Sequence, residues 1–79
     1  MSTNLKFATI YSKKDCEWCV KAYDLIYSRG YILYEKKIDT NLFYKQQMLN
    51  IFPDAKTVPQ CILDDQPIGG YEAVKEYLG

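Results

Sequence analysis

The chain has 79 residues, 48% of them hydrophobic and 15% aromatic, which suits one small globular domain over residues 1–79. Ten basic and ten acidic side chains give a formal charge of zero, which argues against a protein that binds nucleic acid through its overall field. No apolar run approaches the roughly 20 residues of a transmembrane helix, and the start MSTNLKFATIY does not resemble a signal peptide. We therefore expect a cytoplasmic monomer that binds neither nucleic acid nor membranes, in a compartment where thiols are mostly reduced.

The first part of the chain predicts a strand followed by a helix. The mostly apolar run Lys6–Tyr11 is typical of a central strand, and the polar SKKD after it breaks the run. From Cys16 onward the apolar residues adopt a helical period. One predicted helix face holds Trp18, Ala22, Leu25 and Ile26. Gly30, which follows Arg29, predicts the end of this helix.

The middle of the chain predicts an edge strand and a second helix. Tyr31–Ile38 is rich in aromatic and β-branched residues, and Lys36 interrupts its apolar alternation in the way that edge strands tolerate. The predicted apolar parity of this strand holds Ile32, Tyr34 and Ile38. Thr40 or Asn41 can cap the second helix, and Pro53 ends it. The predicted apolar face of that helix holds Tyr44, Met48, Ile51 and Phe52.

The last part of the chain predicts two short strands and a final helix. The strands are expected at Pro59–Leu63 and around Pro67 and Ile68, after which Gly69 and Gly70 open the helix. The apolar face of this helix holds Tyr71, Val74 and Leu78. Strand–helix–strand units favour parallel pairing, whereas the late strand–strand step favours an antiparallel pair. The order β-α-β-α-β-β-α therefore predicts an α/β fold with a four-stranded mixed sheet flanked by three helices.

The stretch DCEWC carries the clearest chemical signal, a pair of cysteines at Cys16 and Cys19. Structural zinc needs four ligands, and this chain offers three cysteines and no histidine, so we expect no metal site within one chain. A disulfide across so short a loop removes little unfolded-state entropy and is a poor staple. The same pair makes a good switch, because the second thiol can attack a mixed disulfide formed by the first.

The position of the pair predicts separate roles for the two thiols. Cys16 stands at the predicted start of a helix, where unpaired N–H groups and the helix dipole stabilise a thiolate. Cys19 lies one turn further in and should be more shielded. We therefore expect Cys16 to attack and Cys19 to resolve, with Lys13 or Lys14 helping to activate the first thiol. Cys61, at an apolar strand position, is expected to be a buried core thiol.

Three segments together, YSKKDCEWC, TVPQ and IGGYE, resemble those of a glutaredoxin in their order and separations. The resemblance spans essentially the whole chain, and the ending GGYEAVKEYLG is most similar to the small dithiol glutaredoxins of bacteriophages. The chain departs from the family's common Cys-Pro-Tyr-Cys by carrying Glu17 and Trp18. Its Glu72 stands where the family often has the shorter Asp.

The resemblance implies a thioredoxin-like fold and a glutathione-dependent thiol–disulfide oxidoreductase that acts through Cys16 and Cys19. Taken alone, Pro59 suggests a strand-start proline with a trans bond, whereas the resemblance implies a cis Val58–Pro59 bond facing Cys16. It also implies a set of glutathione-binding residues: Lys13, Trp18, Thr57, Val58, Pro59, Gly70, Tyr71 and Glu72. No tightly bound cofactor is expected, because glutathione is a co-substrate.

Protein disulfides and glutathionylated thiols are the implied substrates, with ribonucleotide reductase as the family's usual client. Two alternatives remain open at the level of the sequence. One is a small redoxin reduced by thioredoxin reductase instead of glutathione, which Lys13 and the GGYE segment argue against. The other is an iron–sulfur cluster scaffold shared between two chains, which would show visible absorption after anaerobic reconstitution.

Overall fold

The computed structural model describes residues 5–79, so the first four residues, part of the start compared with a signal peptide, lie outside the described residues. The element order is the predicted one. The strands and helices are β1 (Lys6–Ser12), α1 (Glu17–Ser28), β2 (Tyr31–Lys37), α2 (Leu42–Ile51), β3 (Gln60–Leu63), β4 (Gln66–Gly69) and α3 (Tyr71–Leu78). Within residues 5–79 no helix is long and apolar enough to cross a membrane.

The four strands form one mixed sheet in the order β2-β1-β3-β4. β1 pairs with β2 in parallel, from Lys6 opposite Tyr31 to Ser12 opposite Lys37. β1 and β3 are antiparallel, as are β3 and β4. The predicted mixed sheet and the edge position of β2 are therefore confirmed. This order places the C-terminal end of β1 beside the N-terminal end of β3.

The main core lies between the sheet and the helices α1 and α3. Its buried residues come from five elements: Ala8, Ile10, Ala22, Ile26, Tyr31, Cys61, Leu63 and Val74. α2 covers the other face, where buried Tyr11 reaches Gln47 with its hydroxyl, at 3.4 Å. Met48 is the buried residue of α2. The predicted face of α3 is confirmed, because Tyr71 and Leu78 pack against the same core as Val74.

Four helix boundaries follow the predicted chemistry. The Asn41 side chain caps α2 by accepting a hydrogen bond from the N–H of Phe43 at 2.9 Å, and Pro53 follows the end of that helix. Gly30 ends α1 with φ of +85°, a left-handed conformation that glycine adopts without a Cβ penalty. Gly70 is the N-cap of α3.

Three predicted apolar patterns, those of α1, β2 and α2, are partly wrong. In α1 the buried face is Cys19, Ala22 and Ile26, whereas Trp18 is 51% exposed. In β2 the inward residue is Tyr31, while Ile32 and Tyr34 are exposed.

Ile32 and Tyr34 are exposed because α2 covers only one end of this sheet face. Its Gln47 contacts Tyr11 and Lys36 near the C-terminal ends of β1 and β2. The other end of that sheet face stays open, and there the rings of Phe7 and Tyr34 stack at 6.3 Å between centroids. Ile51, predicted on the apolar face of α2, is also exposed.

Candidate functional site

Cys16 occupies the N-cap position of α1, where serine, threonine or aspartate is usual. Its backbone is extended, with φ of −113° and ψ of 104°, and its Sγ accepts a hydrogen bond from the N–H of Cys19 at 3.2 Å. Asp15 before it has φ of +55° and turns the chain out of the loop that follows β1. The sulfur therefore takes the place of a capping oxygen at the positive end of a helix. That location favours the thiolate form.

Cys16 and Cys19 are joined as a disulfide, with their Cα atoms 5.2 Å apart. Cys16 is partly exposed, whereas Cys19 is only 3% exposed. An incoming thiol can therefore reach Cys16 and not Cys19. The pair has the asymmetry expected of one attacking and one resolving thiol.

The segment before β3 approaches the pair from the sheet. The carbonyl oxygen of Val58 lies 3.9 Å from the Sγ of Cys16. The Val58–Pro59 bond is cis, which confirms the prediction, and Pro59 is buried. Val58 is thus the main-chain neighbour of the reactive sulfur.

A groove of about 480 Å³ runs beside this segment to the start of α3, and we call it the aromatic groove. It contains seven of the eight residues predicted to bind glutathione, and Ala73 besides. The seven are Trp18, Thr57, Val58, Pro59, Gly70, Tyr71 and Glu72. The rings of Trp18 and Tyr71 form one wall, with centroids 5.3 Å apart. The first turn of α3 has no side-chain cap, so its N–H groups are available to a ligand.

Lys13, the eighth predicted residue, does not line the aromatic groove. It lines a cavity of about 330 Å³ on the other side of Thr57 and Val58, which also holds Lys45 and Lys56. We call it the lysine cavity, and its lining contains no carboxylate. Lys45 was not identified from the sequence, because nothing local distinguishes it from any other polar residue of α2.

Glu17 and Trp18 of DCEWC both contact the ammonium group of Lys21. The ammonium of Lys21 lies 3.4 Å from the carboxylate of Glu17 and 4.4 Å from the centroid of the Trp18 ring. Trp18 is therefore fixed between Lys21 and Tyr71 at the rim of the aromatic groove.

Cys61 lies away from this chemistry. It is fully buried on β3, and burial raises the pKa of its thiol to about 12. A thiol with so high a pKa is a poor nucleophile at neutral pH. The prediction of a buried core thiol is confirmed.

Comparisons with known proteins agree on one family. The family model described as Glutaredoxin matches residues 8–68. Glutaredoxin 3 of Escherichia coli is 38% identical over 61 residues, which cover 77% of this chain and 72% of that protein. A probable glutaredoxin of Synechocystis is 36% identical over 61 residues, covering 77% of this chain and 56% of that one.

Solved structures give the same fold. Reduced Escherichia coli glutaredoxin superposes with a TM-score of 0.76 at 24% identity, covering 91% of this chain and 92% of the other. A thioredoxin-like protein reaches a TM-score of 0.76 at 18% identity, covering 91% and 99%. A buckwheat glutaredoxin solved as a glutathione complex also scores 0.76, at 23% identity, covering 90% and 66%. The fold is therefore the thioredoxin-like one that the family resemblance implied.

Proposed function

The chain belongs to the glutaredoxin family and is a thiol–disulfide oxidoreductase, and from this premise we propose that glutathione is its reductant. The observation that carries the proposal is the position of the Cys16 sulfur, 3.9 Å from the Val58 carbonyl that separates the aromatic groove from the lysine cavity. A tripeptide bound along Val58 would place its thiol at Cys16, one of its ends in the aromatic groove and the other in the lysine cavity.

The charges of these two spaces match the two ends of glutathione. At one end, the uncapped N–H groups at the start of α3 suit the γ-glutamyl carboxylate. At the other end, Lys13, Lys45 and Lys56 suit the glycine carboxylate. Between them the main chain of Val58 can pair with the cysteine portion as an added strand would.

The reaction follows as two exchanges at Cys16. A glutathione thiolate attacks the Cys16 sulfur, the Cys16–Cys19 bond breaks, and Cys19 leaves as a thiolate that takes up a proton. A second glutathione thiolate attacks the glutathione sulfur of this mixed disulfide, giving glutathione disulfide and the Cys16 thiolate. The N–H of Cys19, 3.2 Å from the sulfur, stabilises that leaving thiolate. The reduced pair then returns two electrons to a protein disulfide or a glutathionylated thiol.

The test is reduction of a small mixed disulfide with glutathione, glutathione reductase and NADPH. We expect turnover, and we expect Lys13→Gln to raise the glutathione KM about two- to fivefold with little change in kcat, because an exposed charge pair contributes mostly uniform binding. Lys75→Gln, on the exposed side of α3, is the matched control and should leave KM unchanged. Reduction by thioredoxin reductase with no turnover on glutathione would contradict the proposal.

Three finer statements belong to the same proposal. The client is a protein disulfide, with ribonucleotide reductase as the example that the family resemblance implies. The protein works as a monomer in the cytoplasm, without a tightly bound cofactor. The bacteriophage subtype suggested by the ending GGYEAVKEYLG stays a prediction.

A further inference from the structure

Glu17 and Trp18, the two residues between the cysteines of the redox pair, share Lys21 as a partner. Lys21 lies four residues after Glu17 and three after Trp18 on α1, and residues at these spacings are neighbours on a helix surface. Its ammonium group is 3.4 Å from the Glu17 carboxylate and 4.4 Å from the centroid of the Trp18 ring. One cation therefore contacts both residues at which this motif departs from Cys-Pro-Tyr-Cys.

The Trp18 ring is 51% exposed, so burial in the core does not fix its orientation. The ring packs against that of Tyr71, at 5.3 Å between centroids, and it also carries the Lys21 ammonium group. Tryptophan is the aromatic side chain that attracts a cation most strongly. Tyr71 belongs to α3, whereas Lys21 belongs to the same helix as Trp18. The contact with Lys21 thus ties the ring to its own helix in the orientation in which it lines the aromatic groove.

Glu17 in turn restrains Lys21. The Lys21 side chain is 48% exposed, and a lysine with so much freedom has many rotamers of similar energy. An acid that precedes a lysine by four residues is in the favourable order for an ion pair on a helix. Glu17 also lies in the first turn of α1, where the helix dipole favours a carboxylate. The ion pair therefore favours the lysine rotamer that also reaches the Trp18 ring.

We propose that Lys21 is a positioning residue that holds Trp18 as a wall of the aromatic groove, and that Glu17 acts on this wall through Lys21. The inference rests on the proposed glutathione reaction and adds a determinant of its affinity. Neither Glu17 nor Lys21 lines the aromatic groove, so their effect on a ligand there is indirect. Together they fix in advance a ring that would otherwise have to be immobilised when the tripeptide binds.

Trp18 is the single tryptophan of the chain, so its fluorescence reports on this wall without glutathione or turnover. Time-resolved anisotropy of the oxidised protein measures how freely the ring moves. We expect Lys21→Gln, which removes the cation, to increase the amplitude of the fast local motion of the ring. Lys21→Arg keeps the cation and should keep the parent value. Lys75→Gln, on the exposed side of α3, is the matched control and should leave the motion unchanged.

Kinetics with glutathione separate positioning of the groove wall from a direct effect on the reactive thiol. Lys21→Gln should raise the glutathione KM about two- to fivefold and change kcat less, as expected for the loss of one exposed cation–π contact. Lys21→Arg should have the KM of the parent. Glu17→Gln should raise KM by a smaller factor, and it should add nothing in the Lys21→Gln background, because it acts through the lysine.

Unchanged ring motion in Lys21→Gln would overturn the proposal, as would a loss confined to kcat, which would mean that Lys21 acts on the thiolate. Effects of Glu17→Gln and Lys21→Gln that multiply in the double variant would contradict the role of Glu17. If the ring became mobile in Lys21→Gln but the parent showed no turnover with glutathione, the positioning of Trp18 would stand and the glutathione proposal would fail.

Discussion

At the scale of single residues, the site depends on a sulfur atom placed where a helix normally has a capping oxygen. Cys16 is at once the last extended residue, the N-cap of α1 and the accessible member of the disulfide. With no histidine in the chain, no imidazole can act as its base. The N–H of Cys19 at 3.2 Å and the helix dipole are therefore the local groups that stabilise the thiolate.

Serine substitutions should separate the two thiols. We expect Cys16→Ser to lose all transfer, down to the uncatalysed background, because no other exposed thiol remains. Cys19→Ser should keep activity on a glutathionylated peptide and lose reduction of protein disulfides that need a resolving thiol. Both substrates should be assayed with each variant. Retention of one activity in Cys16→Ser, with loss of both in Cys19→Ser, would reverse the roles.

At the scale of elements, local sequence predicted which elements form, their order and the covered face of α3, but not the full covered face of α1, β2 or α2. The caps at Asn41 and Gly30 depend on neighbouring residues, so they could be predicted. The exposure of Ile32 and Tyr34 depends on how far α2 reaches across the sheet, which no local pattern contains. Trp18 is outside the buried face of α1 because it packs on Tyr71, 53 residues further along the chain.

The turn between β3 and β4 gives a prediction at this scale. Asp64 and Asp65 form a two-residue loop with φ of +55° and +63°, the type I′ geometry in which glycine is preferred at the second position. Asp65→Gly should therefore raise the free energy of unfolding by about 0.5–1 kcal/mol. Gly30→Ala is the opposite test. A Cβ there meets no atom within 4 Å, so its cost of about 1–2 kcal/mol comes from φ alone.

Chemical denaturation of both variants and the parent measures these changes. The expected order of stability is Asp65→Gly, then the parent, then Gly30→Ala. A loss of stability in Asp65→Gly would mean that the Asp65 side chain contributes more to the hairpin than its backbone conformation costs.

At the scale of the whole molecule, one end of the sheet borders the candidate site and the opposite end is held by long-range polar contacts. The ends of β1 and β3 that carry Ser12 and Gln60 border the site, together with the starts of α1 and α3. The opposite end is tied by long-range polar contacts, in which Arg29 donates to the carbonyl oxygens of Leu78 and Gly79 at 2.8 and 3.3 Å. Such a cation at the C-terminal end of α3 complements the helix dipole.

The parts of the site that could be predicted are those that lie in short sequence motifs, and the rest depend on long-range packing. Cys16, Cys19 and the segment around Pro59 belong to short motifs, so the sequence placed them together through the family resemblance. Lys45 joins Lys13 only because α2 packs beside the segment of Thr57 and Val58. Lys37 at the end of β2 likewise comes beside the start of α1 only because β2 pairs with β1. Neither contact leaves a local signal in the sequence.

The end of the sheet remote from the site carries the last prediction, which concerns acid. The carboxylate of Asp64 accepts hydrogen bonds from the hydroxyls of Tyr77 at 2.7 Å and Tyr31 at 2.9 Å. These bonds, first that of Tyr77, lower the pKa of Asp64 below its ordinary value of 3.8. A carboxylate whose pKa is lower in the folded than in the unfolded state stabilises the fold at pH values above its ordinary pKa. This contribution is lost as the pH falls through the pKa of the folded state.

Asp64→Asn should therefore unfold at a lower urea concentration than the parent at neutral pH, and the difference should shrink as the pH falls below 3.8. Asp65→Asn makes the same charge change in the same turn and leaves both tyrosine hydrogen bonds to Asp64 in place, so it is the matched control. Activity at temperatures where every variant is folded should stay unchanged, because this cluster lies at the other end of β3 from Cys16. If the difference in unfolding urea concentration between Asp64→Asn and the parent persisted in acid, the stabilisation would not depend on the charge of the Asp64 carboxylate.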